Sequence, residues 1–123
     1  MSYYLPHARL VRFLEARGFS PEEQYGETVY VRGHDADPRL FLEVWTGHMR
    51  GPGLRAWDDQ DLRVYVVWQG AFVFRVHREK AVVRVGEPEA ILDRLYERLV
   101  SAYRHGTVWL RAHRDEIAAG ICQ

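Results

Sequence analysis

The chain has little of what most directly reveals chemistry. It holds one cysteine, Cys122, in 123 residues. One thiol closes no internal disulfide and builds no cysteine-rich zinc site, which points to a reducing compartment. Net charge is missing as well. Seventeen basic residues face 17 acidic ones, so a nucleic-acid backbone meets no global attraction, although a local basic patch stays open. No apolar run approaches the roughly 20 residues of a membrane span. The first dozen residues include Pro6, His7 and Arg9 and lack the apolar stretch of a signal peptide. A cytoplasmic protein without a membrane partner is expected.

Motifs of known chemistry are absent too. Gly51-Pro52-Gly53 is followed by Leu54 and Arg55, not by the lysine and hydroxyl of a phosphate-binding loop. His113 and Glu116 stand three apart, outside the His-Glu-x-x-His frame of a zinc protease. Ser20 reads as a helix cap, Ser101 lies on a helix and Cys122 is terminal, so none has the held base and rigid seat of a nucleophile. His34, Asp35 and Asp37 form an ordinary turn set. No catalytic residue, metal ligand or cofactor is assigned, and the chain reads as a binding protein rather than an enzyme.

What is present is a globular composition, 47% apolar and 28% charged, of a length usual for one domain, residues 1–123. His7 to Arg17 has the apolar stripe of a helix, ended by Gly18 with Phe19 placed for the contact that follows a glycine cap. Ser20-Pro21-Glu22-Glu23 has the form of a capping box and predicts at most one helical turn before Gly26. Strands are expected at 27–32 and 39–46, joined by the loop 33–38. The breakers and charges of 47–61 mark a long loop, a length often tied to function.

Leu62, Val64, Val66 and Trp68 alternate with Arg63, Tyr65, Val67 and Gln69, and Phe72, Phe74 and Val76 alternate with Val73, Arg75 and His77. A three-residue loop at 69–71 pairs Trp68 with Phe72 and puts both apolar rows on one face. A turn at Glu79-Lys80 adds a fifth strand, 81–85. Pro88 opens a long helix to about Tyr103, Gly106 breaks it, and Thr107 caps a short final helix. The fold expected is α+β: an N-terminal helix, an antiparallel sheet of about five strands, a long C-terminal helix and a short last one.

Alternation sends a second residue set away from the core. Arg63, Tyr65, Arg75, His77 and Arg84 fall there, with Tyr65 expected opposite Arg75 and Arg75 opposite Arg84. The first hairpin adds Tyr30, Arg32, Phe41 and Trp45, and Trp57 joins from the long loop. Arginines hold anions and aromatic rings stack on bases or anchor a protein interface. Arg63, Tyr65, Arg75, His77, Arg84, Trp45 and Trp57 are therefore the expected binding residues. A protein partner or a second copy ranks ahead of single-stranded nucleic acid, because the chain has no net charge. The rival class is a metal-dependent hydrolase using Asp58, Asp59 and Asp61.

The frame of helix, Arg17-Gly18-Phe19, hairpin, the run 61–67, second hairpin and long helix resembles small uncharacterised proteins of phages and their bacterial hosts. That resemblance implies no particular activity; the expectation is a binding protein of phage or mobile-element type that acts through its sheet face and the 47–61 loop to inhibit or adapt a host machine. The start is also similar to small toxin ribonucleases of toxin–antitoxin pairs, which carry Gly-Ser-His on the first strand. Here the matching stretch is Gly26-Glu27-Thr28, without the histidine, so the ribonuclease activity is not implied.

Overall fold

The structure is a computed structural model that describes residues 7–49, 62–69, 73–77 and 87–120, with backbone alone at 47–49, 69 and 73–77. Helix α1 spans His7–Glu15 and buries Leu10 and Leu14. It stops as the sequence predicts. Gly18 takes φ 84°, the Phe19 N–H donates to Leu14 O, the Gly18 N–H donates to Glu15 O, and Phe19 is buried. This is the double-bonded glycine cap with its hydrophobic contact.

The described strands form one antiparallel sheet in sequence order: β1 Ser20–Gln24, β2 Glu27–His34, β3 Asp37–Met49, β4 Arg63–Gln69 and β5 Val73–His77. Four of the five expected strands are there. The expected strand 81–85 lies outside the described residues. The other strand, β1, occupies the stretch read as a helical turn. Its four leading residues are exposed, so pairing with β2 rather than burial holds it. Tyr25 (φ 52°) and Gly26 (φ 79°) link β1 to β2. Two left-handed residues in a two-residue connection are the mark of a type I′ hairpin turn, which matches strand twist.

The β2–β3 hairpin turns at Asp35-Ala36, with His34 opposite Asp37, so both strands run further into the expected loop 33–38. The register then shifts between Gly33 and His34, which sets Gly33 opposite Phe41, Arg32 opposite Leu42 and Tyr30 opposite Val44. A bulge of this kind changes which residues share a face. Tyr30 and Arg32 thereby move to the same side as Leu42 and Val44, not to the outer face expected of them. Phe41 and Trp45 do lie on the outer side, opposite Val67 and Arg63.

Between β4 and β5 the pairing is Gln69 with Val73, Trp68 with Phe74 and Val66 with His77, with an irregularity between the last two. Gln69 therefore belongs to β4 rather than to the expected loop 69–71, whose other residues lie outside the described ones. Trp68 meets Phe74 rather than Phe72, and the expected pairing of Tyr65 with Arg75 does not occur.

Helix α2, Pro88–Ala112, crosses the inner face of the sheet, and α3, Arg114–Ala118, follows it. The core joins Leu10, Leu14, Phe19, Tyr30, Leu40, Leu42, Val44, Leu62, Val64, Val66 and Trp68 to Ile91, Leu95, Leu99 and Trp109 of α2. Gly106 does not break the helix. A Cβ there would lie 2.9 Å from Leu40 Cδ2 and 3.0 Å from His34 Cδ2, so glycine lets α2 close on the hairpin. Thr107 accordingly caps nothing and sits inside α2. Among the described residues no helix is long and apolar enough to cross a membrane.

Candidate functional site

The expected outer-face residues come together only in part. Trp45 and Tyr65 meet edge to face, with ring centroids 6.4 Å apart and planes at 88°. Arg63 stands opposite Trp45, and Tyr65 stands opposite Glu43. Glu43, which sequence reasoning passed over, is their centre. Trp45 Nε1 donates to its Oε1 at 3.2 Å and Gln24 Nε2 donates to its Oε2 at 3.3 Å. Its position in phase with Phe41 and Trp45 was the signal available. This face offers little contact area: Tyr65 is 8% exposed, Val67 7% and Glu43 6%. Arg75 and His77 lie on β5, where the description is of backbone. Trp57, Arg84 and the Asp58–Asp61 loop lie outside the described residues. Among those described, no three His, Cys, Asp or Glu side chains are grouped to hold a metal.

A second constellation lies on the inner side, where the β2–β3 hairpin and the end of α1 meet α2. Its organiser is His34. The imidazole is buried and stacks on the Tyr103 ring, with centroids 4.1 Å apart and planes 12° from parallel. The Ala36 N–H donates to His34 Nδ1 at 3.0 Å, which places the ring proton on Nε2, donated to Tyr103 O at 3.1 Å. Both nitrogens are spent, so the imidazole keeps no lone pair for a metal. Next to it, Asp37 takes a two-pronged contact from Arg39: Nε at 3.0 Å on Oδ1 and Nη2 at 2.8 Å on Oδ2, with the Arg39 backbone N–H on Oδ1 at 2.8 Å. The hydrogen bonds from Arg39 hold the Asp37 carboxyl below its ordinary range against a smaller opposing effect of burial.

Beside the His34–Tyr103 stack opens a groove of about 340 Å³. Its floor is apolar, with Phe19, Leu42 and Leu99, and Tyr96 and Val100 stand exposed on its wall. Among the described residues, three guanidinium groups line it, from Arg17, Arg32 and Arg104, against the one carboxylate of Asp35. Tyr103 donates its hydroxyl to Asp35 Oδ2 at 2.9 Å, and this bond is the largest cause of its raised phenol pKa. Arg32 reaches Asp35 Oδ1 at 3.5 Å, and its guanidinium carbon lies 5.8 Å from the Tyr103 ring centre. Arg17 rests on the Phe13 ring at 3.6 Å and faces Tyr96 at 5.4 Å. Its Nη1 donates to Phe13 O, while its Nε is buried with no acceptor among the described residues.

Arginine cations held by ring faces and side-chain bonds, above an apolar floor, are suited to an anion attached to an apolar group. The sequence did not suggest this assembly. Arg32 is expected on the outer face, and no spacing in the sequence groups it with Arg17 and Arg104. Comparison with protein-family models, with curated proteins and with solved structures finds no match for this chain.

Proposed function

We propose that this chain is a non-enzymatic binding protein that takes an acidic segment of a protein partner into the Arg17–Arg32–Arg104 groove. The observation behind the reading is the imbalance of charge above an apolar floor: among the described residues, three guanidiniums and two tyrosines share one cleft with a single carboxylate. Arginine and tyrosine are the residues most often found to anchor protein interfaces, particularly where an apolar pocket excludes water around them. The groove is a better contact surface than the outer sheet face, where Tyr65 is 8% exposed. Such a protein acts in the cytoplasm as a phage or mobile-element accessory, occupying a host component without chemistry of its own.

The test is a titration of the full chain with a capped Asp-Glu-Phe-Glu-Asp peptide, followed residue by residue by amide NMR. Shifts confined to β2, the end of α1 and the 96–104 stretch of α2 support the reading. Shifts centred on Trp45, Arg63 and Tyr65 return the contact to the outer face. A stronger response to octathymidylate than to the peptide favours the single-stranded nucleic-acid reading, and a self-association that empties the titration favours a homodimer.

A further inference from the structure

The groove is charged beyond what one carboxylate ligand neutralises. Asp35 already engages Arg32 and Tyr103, which leaves two of the three guanidiniums without an anion from the described residues of the cleft. Arg104 is exposed and Arg17 keeps its buried Nε–H without an acceptor among the described residues. An incoming Asp or Glu side chain brings a single negative charge. A phosphomonoester brings about −1.5 to −2 and three acceptor oxygens, which matches the charge excess. Guanidinium forks are suited to such a group.

The basic character is also confined. Glu15 and Glu23 both bear on Tyr30 and, after burial, push its phenol pKa up. Tyr30 precedes Arg32 by two residues on β2 and shares its face. A polyanion tracking along the sheet would run into those carboxylates, whereas one compact dianion would not. The apolar floor below, Phe19, Leu42 and Leu99, has room for the ring or chain that bears the charge. The volume is at the small end for a ligand pocket, roughly 300–1,000 Å³, and suits one side chain.

We infer that the groove is a reader of a phosphorylated side chain, with Arg17 and Arg104 as its phosphate ligands and the Leu42–Leu99 floor as the seat of the attached ring. The inference rests on the groove being the contact surface. It adds that phosphate, not carboxylate, is the preferred anion.

The full chain is titrated with three capped pentapeptides, alanine throughout except for a central phosphotyrosine, tyrosine or glutamate, and with octathymidylate. The phosphotyrosine peptide is expected to bind about tenfold to a hundredfold tighter than the glutamate peptide, the range of one or two charge-assisted hydrogen bonds. It is expected to weaken by at least about tenfold in Arg104→Gln, a substitution at an exposed site that leaves packing alone. Equal affinity for the phosphotyrosine and glutamate peptides, both mapping to the groove, overturns the phosphate assignment while the binding surface stands. No response at the groove from any peptide overturns both. Preference for octathymidylate overturns both in favour of nucleic acid.

Discussion

The His34 imidazole lies flat on the Tyr103 ring, 4.1 Å between centroids, while its Nε2–H donates to the carbonyl of that same tyrosine. One residue from a hairpin thus grips one residue of a helix by both its ring and its backbone. The grip sets where Tyr103 presents its hydroxyl to Asp35, and so shapes one wall of the groove. His34→Phe keeps the ring but removes its polar contacts with Tyr103 O, the Thr107 hydroxyl and Ala36, leaving the Ala36 N–H without its acceptor. A loss of about 1–3 kcal/mol is expected, the cost of unpairing buried polar groups, read from the urea midpoint.

Gly106→Ala separates local propensity from packing. In an exposed helix interior the change would stabilise by about 1 kcal/mol. Here the new methyl would enter the contact with Leu40 Cδ2 at 2.9 Å and His34 Cδ2 at 3.0 Å, and His34 is pinned from both nitrogens. Crowding of this kind costs about 1–3 kcal/mol, so the net effect on chemical denaturation should be destabilising. A more stable variant would mean that α2 does not approach the hairpin so closely.

The legible parts of the fold were those whose own residues state their environment. Leu10 and Leu14, the Gly18 stop, and the rows Leu40, Leu42, Val44 and Val64, Val66, Trp68 all declare themselves by period, because each faces the core. Strand β1 does not: Ser20-Pro21-Glu22-Glu23 is exposed, resembles a helix start, and owes its conformation to β2. Gly106 reads as a breaker by propensity, and only the proximity of Leu40 explains it. The groove was hidden for a related reason. Arg17 comes from the turn after α1, Arg32 from β2 and Arg104 from α2, and the register shift beside His34 turns Arg32 to the face opposite the one that simple alternation assigns. A bulge leaves no sign in hydrophobic period.

Tyr25 offers a stabilising change. It is a non-glycine residue at φ 52° and is 93% exposed. A left-handed residue with a Cβ costs roughly 1–2 kcal/mol, less for asparagine, and Asn-Gly is the favoured pair for this turn. Tyr25→Asn should therefore raise the unfolding free energy by about 0.5–1 kcal/mol. A drop would show that the Tyr25 ring has a contact worth more than the strain.

The pH response of the hairpin follows from Asp37. Its carboxyl is held below the ordinary 3.8 chiefly by the hydrogen bond from Arg39. A depressed folded-state value means that the ionised form stabilises the fold. That contribution is complete above the ordinary value and is lost as pH falls from there through the folded-state value. Asp37→Asn should lower stability at neutral pH and flatten the acid limb of a stability-versus-pH curve below about pH 4. An unchanged acid limb would mean that the Asp37–Arg39 contact contributes nothing.

Charge reversal at Arg104 tests most directly whether the groove is the contact surface. Arg104→Glu is exposed on α2, so the melting temperature should stay within a few degrees of the parent. Affinity for the capped Asp-Glu-Phe-Glu-Asp peptide should fall by more than about tenfold, and the remaining binding should depend less on salt. Unchanged affinity in a variant that melts normally would contradict the account.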